Sequence, residues 1–130
     1  MADAAKILLI IGGIYNLGFG VFHLMFWRIF RWKRDLAKLN FANRGIMQIL
    51  NLCLTFMFFV MAYVSFFHMA DMLETSLGRA MLIAISLFWF LRMIEQTIFF
   101  GIRNKQANIY TVLFSLGCLF YLVPFVIVMV

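Results

Sequence analysis

Four long segments that are almost free of charge constrain this chain of 130 residues more than any other feature. Charged residues separate these segments, which lie at 7–27, 45–67, 80–102 and 106–130. A helix of about 20 residues crosses a hydrocarbon core of about 30 Å. The segments lack the period-two alternation of barrel strands, and in lipid a helix satisfies its own backbone hydrogen bonds. We therefore predict an all-α polytopic integral membrane protein, an antiparallel bundle of four transmembrane helices.

The composition excludes several other classes of protein. Hydrophobic residues make up 66% of the chain and charged residues 12%. Soluble domains are about half apolar and about a quarter charged, and a fold of this size has too little interior to bury the excess. An ordinary cytosolic enzyme, a disordered chain and a nucleic-acid-binding protein are excluded, so we expect no nucleic acid partner. We expect a single transmembrane domain over 1–130, with helices at about 6–30, 44–68, 78–102 and 107–130.

The connections between the segments differ in charge, and the difference predicts orientation. The connection over about 28–44 has a net charge of +5, from six basic residues against one acidic residue. The third connection has a net charge of +2 and the second has −1. The positive-inside rule places the first and third connections in the cytoplasm. We expect a bacterial inner (plasma) membrane, with both termini on the non-cytoplasmic side.

The basic connection also indicates contact with membrane lipid. Its cations alternate with apolar side chains such as Phe30 and Trp32, as in segments that lie at an anionic membrane surface. The candidates for binding lipid head groups are Arg28, Arg31, Lys33 and Arg34. A topology signal joined to an ordinary helix extension explains the same pattern, and the sequence leaves both interpretations open.

Polar and small residues inside the apolar segments recur at helical spacing, one stripe on each predicted helix. In chain order the stripes are Gly13, Asn16, Gly20 and His23; Gly45, Gln48, Asn51 and Thr55; Arg92, Glu95, Gln96 and Phe99; and Asn108, Thr111, Ser115 and Cys118. Most of their polar members lie roughly 5–14 Å from the cytoplasmic ends of the helices. We therefore predict a polar cavity in the cytoplasmic half of the membrane, open toward the cytoplasm. Its predicted outer cap consists of Phe56, Phe58, Phe59, Leu87, Phe88 and Phe120.

Arg92 and Glu95 are the charged residues inside these segments. A charge at membrane depth is costly, and it usually has a partner and a function. Three residues apart on a helix, the two can pair with each other, and His23 can join them because imidazole titrates near neutral pH. We predict a ligand, ion or proton site with Arg92 as the anion partner and Glu95 as its counter-charge or a proton acceptor. The predicted hydrogen-bonding wall consists of His23, Gln48, Asn51, Gln96 and Asn16.

Three functions agree with these patterns. The first is binding, and with it transport, of a small molecule, ion or proton. The second is a structural or accessory subunit, whose polar stripes lock helices together or dock a larger complex, and a homo-oligomer fits the small size of the bundle. The third is an enzyme acting on a lipid or quinone, with His23 and Glu95 as acid and base. No nucleophile or cofactor motif accompanies these two residues, and two ligands are too few for a metal site.

Overall fold

The computed structural model describes all residues from 1 to 130, and almost all of them are helical. Seven helices follow one another along the chain: α1 (Ala2–Leu24), α2 (Phe26–Ile29), α3 (Trp32–Asp35), α4 (Phe41–Phe67), α5 (Met69–Glu74), α6 (Ser76–Phe100) and α7 (Lys105–Met129). The four long helices α1, α4, α6 and α7 are long and apolar enough to cross a membrane. The prediction of an all-α membrane bundle of four helices is confirmed.

Side-chain caps set where three of the long helices begin. The side chains of Asn40, Thr75 and Asn104 each accept a hydrogen bond from a backbone N–H in the first turn of α4, α6 and α7. Each cap satisfies a donor that has no partner inside the helix. At the other end of α6, Gly101 takes a positive φ of 74°, a conformation that favours glycine and stops the helix.

The C-terminal end of the first helix comes earlier in the chain than predicted. We expected it to reach about residue 30, but α1 ends at Leu24 and the chain continues as the separate short helices α2 and α3. Arg31, between α2 and α3, has a φ of 52°, in the left-handed region that few residues other than glycine adopt. A 3-10 turn over Leu36–Lys38 follows. The basic connection, expected as a loop, is therefore largely helical.

Arg44 holds the end of this connection onto α4. Its guanidinium donates hydrogen bonds to the carbonyl oxygens of Leu36, Ala37 and Leu39 at 3.0, 3.2 and 3.0 Å. No helix continues beyond this turn to supply further donors, and the Leu36 carbonyl accepts in addition from the Leu39 N–H, so one arginine binds three neighbouring acceptors at once. The basic connection is thereby packed beside the first turns of α4.

The four long helices form a bundle that is packed tightly on three sides. The helix α1 packs along α4 and along α7, and α7 packs along α6. The backbones of α4 and α6 do not pack along each other, and these helices meet through Phe58, Phe88 and Trp89. We call the end where α1 and α6 finish and α4 and α7 begin the basic end. The short helix α5 lies at the opposite end, where it contacts both α4 and α6.

Tyrosines and glycines interlock α1 with α7. Tyr121 of α7 packs on Gly12 of α1, and Tyr15 of α1 packs on Gly117 of α7. A β-carbon at Gly12 would lie 2.8 Å from the Tyr121 ring, and one at Gly117 would lie 2.6 Å from the Tyr15 hydroxyl. The Tyr15 hydroxyl also donates to the Leu113 carbonyl at 2.8 Å. Such close approach through small residues is a main source of helix association in lipid.

A buried polar cluster of Asn16, Ser65 and Tyr121 joins three helices. The Asn16 amide donates to the Tyr121 hydroxyl and to the Gly12 carbonyl, at 2.7 and 2.9 Å. The Ser65 hydroxyl lies 2.7 Å from the same tyrosine hydroxyl. We call these three residues the Tyr121 cluster. It links α1, α4 and α7, so Asn16 serves as an interhelical hydrogen-bond donor.

Candidate functional site

A cavity of about 680 Å³ lies in the half of the bundle nearer the basic end. Residues of α1, α2, α4, α6 and α7 line it, and 14 of its 20 lining residues are hydrophobic. It occupies the side of the bundle where the backbones of α4 and α6 stay apart. Its size and its mostly apolar wall with a few polar groups are typical of sites that bind small molecules.

Stacked aromatic rings form the floor of the cavity. Trp89, which is fully buried, stacks between Phe58 at 5.4 Å and Phe114 at 5.8 Å, with interplanar angles of 15° and 21°. Phe19 packs obliquely on the indole at 5.0 Å. Because these rings are buried and in mutual contact, they separate the cavity from the opposite end of the bundle.

Arg92 is the one charged residue that lines the cavity. Its guanidinium is partly buried and lies over the Phe114 ring, with Cζ 4.6 Å from the ring centroid. Arg34 forms an ion pair with Asp35, and His68 contacts Asp71, so Arg92 has no acidic partner within ion-pair distance. The cation–π contact offsets part of the loss of water, but the N–H donors of the guanidinium remain without an acceptor.

Two more hydrogen-bonding groups of α6 lie at the cavity without partners. Gln96 is only 4% exposed, lines the cavity and forms no hydrogen bond within the protein. The indole N–H of Trp89 is buried and has no acceptor. Buried polar groups nearly always have hydrogen-bond partners. Trp89 Nε1 and Asn16 Oδ1 are the buried exceptions, whereas the polar atoms of Arg92 and Gln96 are accessible from the cavity and remain free to bond a ligand or water.

His23 and Asn51 form the polar part of the cavity on the α1 and α4 side. The His23 Nδ1 lies 2.9 Å from the Phe19 carbonyl, and because a carbonyl only accepts, Nδ1 carries the proton. The Nε2 atom is then an acceptor with no protein donor. The imidazole stacks on Phe26 at 4.3 Å. Asn51 donates to the His23 carbonyl at 2.9 Å and so joins α4 to the last turn of α1.

Glu95 does not lie with Arg92 as the sequence predicts. It is exposed, it does not line the cavity, and it forms no ion pair with Arg92. The inward face of α6 runs through Trp89, Arg92 and Gln96, and this direction turns Glu95 outward. The expected Arg92–Glu95 ion pair is not formed, and no hydrogen bond joins Glu95 to His23, whose ring contacts the Phe19 carbonyl instead.

Two other predicted wall residues also lie outside the cavity. Asn16 belongs to the Tyr121 cluster. Gln48 donates to the Arg44 carbonyl at 3.1 Å and accepts from the Trp27 indole at 3.1 Å, which fixes α2 against α4. Both side chains hold helices together, which is the more common use of an amide in a membrane bundle.

The aromatic floor is the part of the site that the polar stripes do not reveal. Trp89 lies three residues before Arg92, and Gln96 four residues after it, so all three share one helix face. That spacing is visible in the sequence. The stacking of Phe58 and Phe114 on either side of Trp89 depends on how α4 and α7 are placed beside α6, and no local pattern records it.

The predicted head-group residues are only partly brought together. Arg28 and Lys33 line a surface groove with Trp27 and Trp32, beside the start of α4. Arg34 instead pairs with Asp35 at 3.0 Å, and Arg31 is exposed at the break between α2 and α3.

Comparison of the chain with protein-family models, with curated proteins and with solved structures finds no match.

Proposed function

We propose that this protein binds a small acidic molecule in the cavity, with Arg92 as the anion partner. The single observation that carries the proposal is the Arg92 guanidinium, which lies among aromatic walls and has no acidic partner. A cation at membrane depth is costly unless a counter-charge or water relieves it. A carboxylate or phosphate suits the planar guanidinium because it accepts two parallel hydrogen bonds.

The other polar groups of the cavity would orient this acid. Gln96 is a hydrogen-bond donor on the same face of α6 as Arg92, and His23 Nε2 is an acceptor on the α1 side. The partly buried rings of Phe22, Phe26 and Tyr110, which also line the cavity, offer contact to an apolar part of the ligand. A molecule with one acidic group on an apolar body would satisfy both kinds of surface.

The floor favours binding over an open path through the bundle. Transport would require the stack of Phe58, Trp89 and Phe114 to separate, since these rings close the cavity toward the opposite end. The charge of the connections favours a cytoplasmic position for the basic end, in a bacterial inner membrane. In this orientation the cavity would receive its ligand on the cytoplasmic side.

Benzoate is a suitable first probe because it combines a carboxylate with a ring that fits an aromatic wall. We expect benzoate to raise the Tm of the protein purified in a neutral detergent, since a ligand that binds only the folded state stabilises it. Benzamide, which has the same shape without the charge, should have no effect. In Arg92→Gln the affinity for benzoate should fall by about tenfold or more, because the charge-assisted bonds are lost.

Arg79→Gln provides the matched control, because Arg79 lies on the same helix near the opposite end and does not line the cavity. It should keep the response to benzoate. An equal shift with benzamide, or an unchanged shift in Arg92→Gln, would contradict the proposal. If the protein instead purifies in fixed ratio with a partner whose carboxylate reaches Arg92, the accessory-subunit function replaces the proposed one.

A further inference from the structure

We propose that the acid bound by this cavity is an amphiphile dissolved in the membrane, an apolar chain with one carboxylate or phosphate head. We propose further that it enters from the bilayer between α4 and α6. This inference rests on the proposed function of the cavity and adds the class of ligand and its route.

The side of the bundle between α4 and α6 is open near the basic end. Elsewhere neighbouring long helices pack along each other, but α4 and α6 meet through Phe58 with Phe88 and Trp89, at the level of the floor. Leu50 of α4 and Phe100 of α6 both line the cavity and yet are 63% and 65% exposed. Side chains that face the cavity and the outside together mark the edges of an opening. Because both helices are membrane spans, this opening faces acyl chains.

Polarity changes from the rim of this opening to its interior. The rim on α4 is apolar, with Met47 and Leu50, while Arg92 and Gln96 lie within the cavity. A water-soluble acid would gain no favourable contact from an apolar opening toward lipid. An amphiphile matches both parts, since its head can bind Arg92 while its chain lies against the aromatic walls and leaves through the opening into the bilayer.

The charge of the cavity limits the head group to an acid. One guanidinium and no carboxylate line the site, so a single negative charge makes the filled cavity neutral. A neutral head would leave the buried cation unpaired, and a cationic head would be repelled by it. A carboxylate supplies this single charge at neutral pH, and a phosphate monoester, with a charge of about −1.5 to −2, shares with it the two or more acceptor oxygens that one guanidinium binds.

The wall of the cavity at the start of α7 gives the charged head a route that avoids the hydrocarbon core. Asn104 and Gln106 line the cavity at the basic end, where α7 begins, and both are exposed. The cavity thus extends from polar residues near the membrane surface to Arg92 while its side remains open to lipid. The head can move inside along this polar face as the chain stays among the lipids.

Contact quenching by a chain-brominated dodecanoate tests this ligand class in nanodiscs of phosphatidylcholine. With Trp27→Phe and Trp32→Phe, Trp89 at the floor is the remaining tryptophan. We expect saturable quenching by brominated dodecanoate, and competition by dodecanoate and by dodecyl phosphate but not by dodecanol. Arg92→Gln should weaken this binding by about tenfold or more. Referred to its concentration in water, dodecanoate should bind about tenfold or more tightly than benzoate, because its chain leaves water on entering the bilayer beside the opening.

Leu50→Tyr tests the route, because it adds bulk at the edge of the opening, away from Arg92. It should slow the association of dodecanoate at least several-fold and change the association rate of benzoate, which enters from the basic end, much less. Ile49→Tyr is the matched control, since Ile49 is 60% exposed on the adjacent position but does not line the cavity. This variant should change the association rate of neither dodecanoate nor benzoate. Circular dichroism and gel filtration verify that each variant is folded.

The outcomes separate this inference from the proposed function. If benzoate binds in an Arg92-dependent way but dodecanoate binds no more tightly, the assignment of the ligand as an amphiphile is wrong and the proposed function stands. If Leu50→Tyr and Ile49→Tyr behave alike, entry between α4 and α6 is wrong. If neither acid depends on Arg92, both proposals fail together. Equal binding of dodecanol and dodecanoate would show a nonspecific apolar pocket and overturn the inference.

Discussion

The two halves of this bundle contain the same four long helices but use their polar residues in contrasting ways. Away from the basic end, the Tyr121 cluster joins three helices by short hydrogen bonds, and glycines bring α1 and α7 together. Near the basic end, Arg92 and Gln96 line a cavity and have no hydrogen-bond partner in the chain.

This difference shows how stability and function divide in a small membrane bundle. In lipid, packing and interhelical hydrogen bonds stabilise the fold, because burial from water has already occurred on insertion. A paired polar group such as Tyr121 therefore contributes to the fold. An unpaired group such as Arg92 destabilises it, and we propose that a ligand accounts for its presence.

The largest expected effect is at Gly78, where α6 begins next to α5. A β-carbon there would overlap the backbone of Asp71 and Met72, and backbone cannot move aside as a side chain can. Gly78→Ala should therefore destabilise the protein by about 2 kcal/mol or more, measured by unfolding in mixed micelles of sodium dodecyl sulfate. Gly18→Ala, where no atom lies within 4 Å, is the control and should stabilise by up to about 1 kcal/mol. If Gly78→Ala left the free energy of unfolding unchanged, the tight packing between α5 and α6 would be contradicted.

A smaller loss is expected when the Tyr121 cluster loses its central hydroxyl. Tyr121→Phe removes the bonds to Asn16 and Ser65 but keeps the ring on Gly12, so the cost should be about 1 kcal/mol. The affinity for benzoate should not change, since Tyr121 does not line the cavity. Tyr63→Phe, at an exposed tyrosine, should leave both stability and binding unchanged. A weaker affinity in Tyr121→Phe would mean that the two halves are coupled.

The opposite sign is expected for Arg92. Arg92→Met should stabilise the ligand-free protein by about 1 kcal/mol. The substitution removes a charge at membrane depth and retains a long, apolar side chain. The same variant should lose its response to benzoate. Tm values measured with and without benzoate test both parts. A destabilised Arg92→Met would show that the guanidinium supports the fold, and the contrast between the halves would then be incorrect.

The spans could be predicted from the sequence because each depends on local length and hydropathy. Placing Arg92 and Gln96 at one cavity also followed from spacing, since residues four apart share a helix face. Glu95 shows the limit of this reasoning. It stands as close to Arg92 in sequence as Trp89 does, and only the packing of α4 and α7 beside α6 determines that Trp89 faces inward and Glu95 outward.

The apolar segments by themselves determined that this chain is a helical membrane protein, because any backbone in lipid must satisfy its own hydrogen bonds. They also determined that the charge of Arg92 lies at membrane depth, where an unpaired charge costs free energy. The tertiary structure decided which side of the bundle stays open and which rings form the floor. It also decided which amides already have hydrogen-bond partners within the protein. Those properties depend on contacts between residues far apart in the chain, such as Asn16 with Tyr121 and Phe58 with Trp89, and helical periodicity carries no information about them.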